Sequence, residues 1–208
     1  MQPKHVSKNE GFTLIELLVV IAIIAVLAVV VILTLNPAGL LQESRDSNRI
    51  SDMATLRSAI SIYLADVTPA AMGTSTVCYV SESASTTMMV PSSATQSTTT
   101  EVASTTCASW FITASTSTFS NNRSATGTGW IPINFSLISA GSPFAQEPID
   151  PVNNATLYYS FISNAAYTFK FGVQMESTKY SSGGTADVES GDGGKNVNVY
   201  EAGSNLSL

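Results

Sequence analysis

The fold is decided by residues 8–37, which read KNEGFTLIELLVVIAIIAVLAVVVILTLNP. From Leu17 to Leu35 there is no charged residue over nineteen positions. As an α-helix, this run covers roughly 28 Å, close to the thickness of the hydrocarbon layer of a bilayer. Because Lys4, His5 and Lys8 precede it, the positive-inside rule predicts a single-pass membrane protein with a cytoplasmic N-terminus.

An ordinary secretory signal peptide also begins with basic residues followed by an apolar stretch. Its apolar core is typically about 7–15 residues and ends at a small-residue cleavage site. The run here is longer and passes through Asn36-Pro37 into an amphipathic pattern. Glu16 also argues against a signal peptide, because a fully inserted carboxylate costs about 2.5–3.5 kcal/mol. Glu16 must therefore lie at the level of the lipid headgroups or find a cation.

The residues from Lys8 to Leu17 resemble the prepilin processing site of type IV pilins, type II secretion pseudopilins and competence pilins. The resemblance implies that a membrane-embedded prepilin peptidase cuts between Gly11 and Phe12 and methylates the new amine of Phe12. It also implies an α+β ladle fold, in which a long N-terminal helix packs on an antiparallel sheet. The expected partners are the lipid bilayer, an inner-membrane assembly platform, and other copies or other pilins in an extracellular filament.

A cut at this position leaves the membrane helix on the product and creates a positive amine four residues before Glu16. Among packed apolar helices, an unpaired carboxylate would be expensive. We therefore hypothesise that Glu16 pairs with the Phe12 amine of a neighbouring subunit and fixes the axial register. A structural subunit of a pilus-like filament is the main prediction. A pseudopilin of a secretion or DNA-uptake system, and a membrane-tethered binding module, are the alternatives.

Five segments are expected along the chain. They are a leader over residues 1–11, a membrane and filament-core helix over 12–37, an amphipathic helix over 38–68, a Ser/Thr-rich variable region over 69–129 and a sheet over 130–208. Pro37 is expected to kink the helix, because proline lacks the amide proton and clashes with the preceding turn.

The second helical segment carries an apolar stripe that recurs at helical spacing, formed by Ile50, Met53, Leu56, Ile60, Tyr63 and Leu64. It is predicted to cover one face of the sheet. Asp46 with Arg49, and Arg49 with Asp52, are three residues apart and are expected on the exposed face of the helix. Such pairs add only a few tenths of a kcal/mol.

Alternation of apolar and polar residues predicts strands late in the chain. Positions 167–175 alternate cleanly, 157–161 do so similarly, and residues 163–166 form a plausible hairpin connection. A third strand is expected around residues 197–200, and weaker strands around 78–80 and 109–112. One face of this sheet is expected to be wet. Residues 145–153 resemble the proline-rich loop that enters the sheet of major pseudopilins and many pilins.

Charge and composition exclude several functions. The net charge of −6 makes nucleic acid a poor partner. The single histidine lies in the leader, so a processed chain would have no histidine base or ligand, and we expect no enzymatic activity and no cofactor. Cys78 and Cys107 follow the apolar run, and in an oxidising compartment they are predicted to form a disulfide worth on the order of 3–4 kcal/mol. Two separate buried thiols are the alternative.

An acidic, glycine-rich stretch near the C-terminus is the one candidate metal site. Asp187, Glu189 and Asp192 could supply oxygen ligands to calcium, as in a C-terminal loop of some related pseudopilins, although their spacing is not that of an EF-hand. A solvated acidic turn without metal is the alternative.

Overall fold

A computed structural model describes residues 11–75, 77–83, 111 and 116–208, apart from the side chains of residues 33–35. The leader residues before Gly11, Cys107 and most of the predicted strand around residues 109–112 lie outside these ranges. The chain divides into two compact units, residues 1–41 and 42–208.

The first unit contains α1, Leu14–Leu35. Its large apolar side chains are exposed along the described length, from Leu14 at 82% to Ile32 at 62%. Among the described residues, one helical stretch, Leu14–Asp66, is long and apolar enough to cross a membrane. A helix that is apolar on all sides needs an apolar environment around it.

The second helix, α2, covers Pro37–Asp66. The interruption predicted at Asn36-Pro37 is present, because Asn36 adopts the left-handed conformation with φ of 39°. The Asn36 side chain accepts a hydrogen bond from the amide of Gly39 at 3.3 Å. Pro37, as the first helical residue, sacrifices no hydrogen bond there.

The second unit contains most of α2 and a sheet that has five strands in the described ranges. The strands are β1 (Val77–Val80), β2 (Thr116–Phe119), β3 (Tyr159–Ser163), β4 (Phe169–Val173) and β5 (Tyr200–Gly203), in the spatial order β2-β1-β3-β4-β5. All neighbours are antiparallel except β1 and β2, which are parallel. The architecture is therefore α+β, as predicted, with an antiparallel-rich sheet that draws two strands from before residue 130.

The predicted stripe on α2 is confirmed. Met53, Leu56, Ile60 and Tyr63 are buried, and they belong to one core cluster with the apolar side chains of one sheet face. That face is formed mainly by Tyr159, Phe161, Phe169, Phe171 and Val173.

The expectation of a wet second face is wrong. A second apolar cluster covers it, made of Cys78, Val80, Phe111, Tyr158, Ile162, Val199 and Leu208. Lys170, on the polar side of the alternating pattern, is 1% exposed and forms an ion pair with Glu201 at 2.8 Å. Its ammonium also lies 5.0 Å from the centre of the Phe111 ring. The sheet is thus covered on both faces.

Candidate processing and assembly site

The N-terminus of α1 is closed by a reciprocal cap between Thr13 and Glu16. The Thr13 amide and hydroxyl donate to Glu16 Oε2 at 2.8 and 2.7 Å, and the Glu16 amide donates to the Thr13 hydroxyl at 3.3 Å. This capping box satisfies amides that the first turn of a helix leaves without partners. The carboxylate predicted to act in assembly therefore already has a local role in the isolated chain.

The two residues of the predicted cut precede this cap in open surroundings. A side chain at Gly11 would meet no atom of the described residues within 4 Å, so packing against that part of the chain does not require glycine there. Phe12 is 85% exposed. The structure thus places the Gly11–Phe12 bond on an accessible segment immediately before α1.

The structure corrects the prediction for the charged residues of α2. Asp46 and Arg49 are fully buried rather than exposed. The Arg49 guanidinium binds both oxygens of Asp150, at 2.6 and 2.9 Å, and donates to Asp46 at 2.7 Å. Asp52 does not pair with Arg49 but accepts a hydrogen bond from the Tyr159 hydroxyl at 2.7 Å.

This buried ion cluster also takes in the chain just after β4. Asp46 accepts hydrogen bonds from the amides of Glu176 and Ser177 at 2.9 and 2.8 Å, and Arg45 forms an ion pair with the Glu176 carboxylate. Burial disfavours the charged form of Arg49, but Asp150 and Asp46 outweigh it and raise the pKa of Arg49 above its ordinary value. The cluster therefore joins α2 to two distant segments of the same unit.

Glu147, in the loop that precedes β3, is a second buried carboxyl that was not predicted. Its Oε2 accepts a hydrogen bond from the Ile131 amide at 3.1 Å, and its Oε1 is buried and has no hydrogen-bond partner among the residues that the structure describes. A side chain at Gly129 would collide with this carboxyl. Burial raises the pKa of Glu147 to about 8, against the opposing effect of the amides of Ile131 and Trp130.

The three acidic residues of the glycine-rich stretch bind amides of the protein. Glu189 accepts from Met175 and Ser182, and Asp192 accepts from Gly194 and Glu201. Asp187 accepts from Gly183 and Ser190, and the bonds from Ser190 and these amides lower its pKa to about 2. Within the described ranges, no three carboxylate, cysteine or histidine side chains are grouped as a metal site. Calcium stays a prediction, and these contacts give it no support.

Cys78 lies in β1, fully buried and disulfide-bonded. Its predicted partner, Cys107, lies outside the described residues, so the pairing itself stays a prediction.

Residues 6–32 match the family model of the prokaryotic N-terminal methylation motif, which is the leader signature of type IV pilins and pseudopilins. The match contains Gly11, Phe12 and Glu16, and the motif is typical of structural rather than catalytic proteins. The leader and the apolar helix together are features of membrane anchoring. No curated protein and no solved structure matches the chain significantly.

Proposed function

We propose that this chain, which carries the leader signature of type IV pilins and pseudopilins, is the precursor of a structural subunit of a type IV pilus-like filament. A prepilin peptidase cuts it between Gly11 and Phe12 and methylates Phe12. The product keeps α1 as its membrane anchor and later as its assembly element. The observation that carries the proposal is the match to the methylation motif over residues 6–32, which includes most of an apolar helix whose side chains are exposed.

The accessibility of the Gly11–Phe12 bond supports the processing step. Because a side chain at Gly11 would meet none of the described residues, packing against them does not explain the glycine. Recognition by the peptidase explains it instead. Since the bond lies before α1, its cleavage removes the basic leader and leaves the apolar helix intact.

Assembly follows from the surface of α1. Side chains such as Leu17, Ile24 and Val30 are each more than half exposed. In the precursor they are covered by the bilayer, and in the filament they are covered by the same helix of other subunits. Moving from lipid to protein costs little, because both surroundings are apolar.

Glu16 supplies the specific contact in this exchange. Both Thr13 donors bind the same oxygen, Oε2, and Oε1 accepts no hydrogen bond from the described residues. Oε1 is therefore available to the positive Phe12 amine of a neighbouring subunit. The Glu16 carboxylate and the Phe12 amine would otherwise be unpaired charges among apolar helices, so their pairing selects one axial register.

Mass spectrometry of the native N-terminus tests the processing step. We expect a chain that begins with N-methylphenylalanine at position 12. A chain that still carries Met1 would overturn the proposed processing.

Electron microscopy of Glu16→Gln tests the assembly step, with Glu43→Gln as the matched control. Glu43 pairs with Lys179 at 2.9 Å in a partly exposed position. We expect Glu16→Gln to be processed normally but to give a greatly reduced filament yield, and Glu43→Gln to assemble normally. Wild-type filament yield from Glu16→Gln would refute the pairing. A processed wild-type protein that forms no filaments would favour a tethered binding module.

A further inference from the structure

An open cleft of about 750 Å³ lies in the unit formed by residues 42–208. It is lined by residues 122–126, Ser136 and residues 142–146. Its volume is within the range of small-molecule sites, about 300–1,000 Å³. The proposed processing and assembly steps use none of these residues.

Two hydroxyl groups that line the cleft, those of Ser124 and Thr126, form a relay with the neighbouring hydroxyl of Thr128, and each hydrogen bond of the relay can run in either direction. The hydroxyls of Ser124 and Thr126 are 2.8 Å apart, and those of Thr126 and Thr128 are 3.4 Å apart, with either atom of each pair able to donate. Each hydroxyl carries one donor and two acceptor positions. Such a relay can adapt to a ligand that presents hydroxyls of its own.

Arg123 supplies one cation at the cleft. Its Nε donates to the carbonyl of Glu147 at 2.7 Å, and the Glu147 amide donates to the Arg123 carbonyl at 2.8 Å. The first bond holds the guanidinium group at Nε and the second holds the Arg123 backbone, and the residue is otherwise exposed. Its terminal nitrogens have no hydrogen bond to any described residue, and they can bind a carboxylate through two parallel bonds.

Phe144 adds an apolar element to this polar lining. Its ring is half-buried and packs edge-on against Phe135, with 4.9 Å between ring centres. The ring is therefore held in place, and an aromatic side chain offers a large apolar contact at low entropic cost. A fixed ring beside hydroxyl groups suits the C–H face of a sugar.

From these groups we infer that the cleft binds an acidic saccharide. Arg123 binds the carboxylate of a uronic acid-type sugar, the hydroxyls of Ser124 and Thr126 bind its hydroxyls, and Phe144 contacts its apolar face. A lining with one cation matches the single charge of a carboxylate better than the double charge of a phosphate. The site would give the subunit a ligand-binding role in addition to a structural one.

Isothermal titration calorimetry of the full chain in detergent micelles tests the inference, with digalacturonate as the probe. The neutral disaccharide of galactose and plain acetate are the comparison ligands. We expect binding of digalacturonate that is at least about tenfold tighter than that of either comparison ligand, since each lacks one set of contacts.

Two variants, each with a matched control, locate the site. Arg123→Gln should weaken binding about ten- to hundredfold, whereas Arg57→Gln, the same change at an exposed arginine of α2, should leave it unchanged. Thr126→Val should weaken binding about three- to tenfold, and Thr118→Val in β2 should not. Thr126 makes no bond to the loop of Glu147, so this variant decides the question if Arg123→Gln fails to fold.

Several results would overturn the inference. Undetectable binding of digalacturonate would do so directly. If the neutral disaccharide bound as tightly as digalacturonate, Arg123 would have no role in recognition. If acetate bound as tightly, the site would be an adventitious carboxylate contact only. Wild-type affinity in both folded variants, Arg123→Gln and Thr126→Val, would place the binding elsewhere.

Discussion

Replacing Glu147 with glutamine is expected to make the unit of residues 42–208 less sensitive to pH. The carboxyl is fully buried, and the Ile131 amide donates a hydrogen bond to its Oε2 at 3.1 Å. Glutamine keeps an oxygen for that amide and carries no charge at any pH. The substitution therefore removes ionisation while preserving the contact.

The magnitude follows from the pKa of Glu147, which burial raises from its ordinary value near 4.5 to about 8. Between these two values the unfolded chain has lost the proton and the folded chain still holds it. Stability therefore falls as pH rises from about 4.5 to about 8, and the full loss is reached above that. At about 1.4 kcal/mol per pKa unit, the loss is on the order of 3–5 kcal/mol.

Thermal unfolding of the full chain in detergent micelles, followed by circular dichroism at pH 5.5 and pH 8.5, measures this effect. At about 2–4 °C per kcal/mol, we expect the wild-type Tm to be lower at pH 8.5 by on the order of 10 °C. Glu147→Gln should show a much smaller difference and should be more stable than wild type at pH 8.5.

Glu43→Gln is the control, because this partly exposed carboxylate pairs with Lys179 and its loss should leave the pH dependence in place. Burial also raises the pKa of Asp52 and of Glu189. These two carboxyls therefore contribute a further decrease in stability with rising pH, which is present in every variant. The difference between Glu147→Gln and the control therefore isolates Glu147. A wild-type Tm that is equal at the two pH values, or an unchanged slope in Glu147→Gln, would refute the reasoning.

Three further predictions concern the same unit. Arg49→Ala leaves buried carboxylates without their cation and should cost about 3–5 kcal/mol in chemical denaturation. Arg45→Ala, which removes a partly exposed ion pair, should cost much less, and equal losses from the two variants would contradict the special role of the buried cluster. Alkylation in denaturant followed by intact-mass measurement should add label to Cys78 and Cys107 only after reduction, and labelling of the unfolded chain without reductant would disprove the disulfide. Adding millimolar calcium after chelation should leave Tm unchanged, because the Asp187 carboxylate already binds amides. An increase in Tm would instead support the predicted calcium site.

The features that the sequence predicted well depend on local periodicity. The apolar run and the stripe of α2 each repeat within a few residues, so they identify helices and the buried face without knowledge of the partners. The hairpin between β3 and β4 was predicted for the same reason, since the two strands are separated by the short turn at residues 164–168. Strand lengths were less accurate, because alternation continues past the ends of β4 at Phe169 and Val173.

The charged residues were misjudged because their partners are far away in the chain. Asp150 is 101 residues from Arg49, and no local rule connects them. A signal was nevertheless present, since Asp46 and Arg49 continue the helical spacing of the buried positions Met53 and Leu56. A charge in register with an apolar stripe predicts a buried ion pair better than an exposed one.

The second sheet face was misjudged for a related reason. Lys170 alternates with phenylalanines, a pattern that predicts a side chain facing water, but Glu201 and Phe111 enclose it. These two residues lie in separate segments whose own patterns are weak. Alternation identifies two faces of a strand, but it does not say whether the polar face is later covered by another part of the chain.

The buried ion cluster also dictates an order of events during synthesis. Arg49 leaves the ribosome 101 residues before Asp150 and 127 residues before Glu176. Until Asp150 has been made, Asp46 is the only carboxylate of this cluster that is present, and the strands whose side chains cover the apolar stripe, β3 and β4, are complete only at Val173. The apolar stripe and Arg49 therefore gain their full set of partners only when the last part of the chain has been made, and we expect a chain truncated before Glu176 to be degraded faster than the full-length protein.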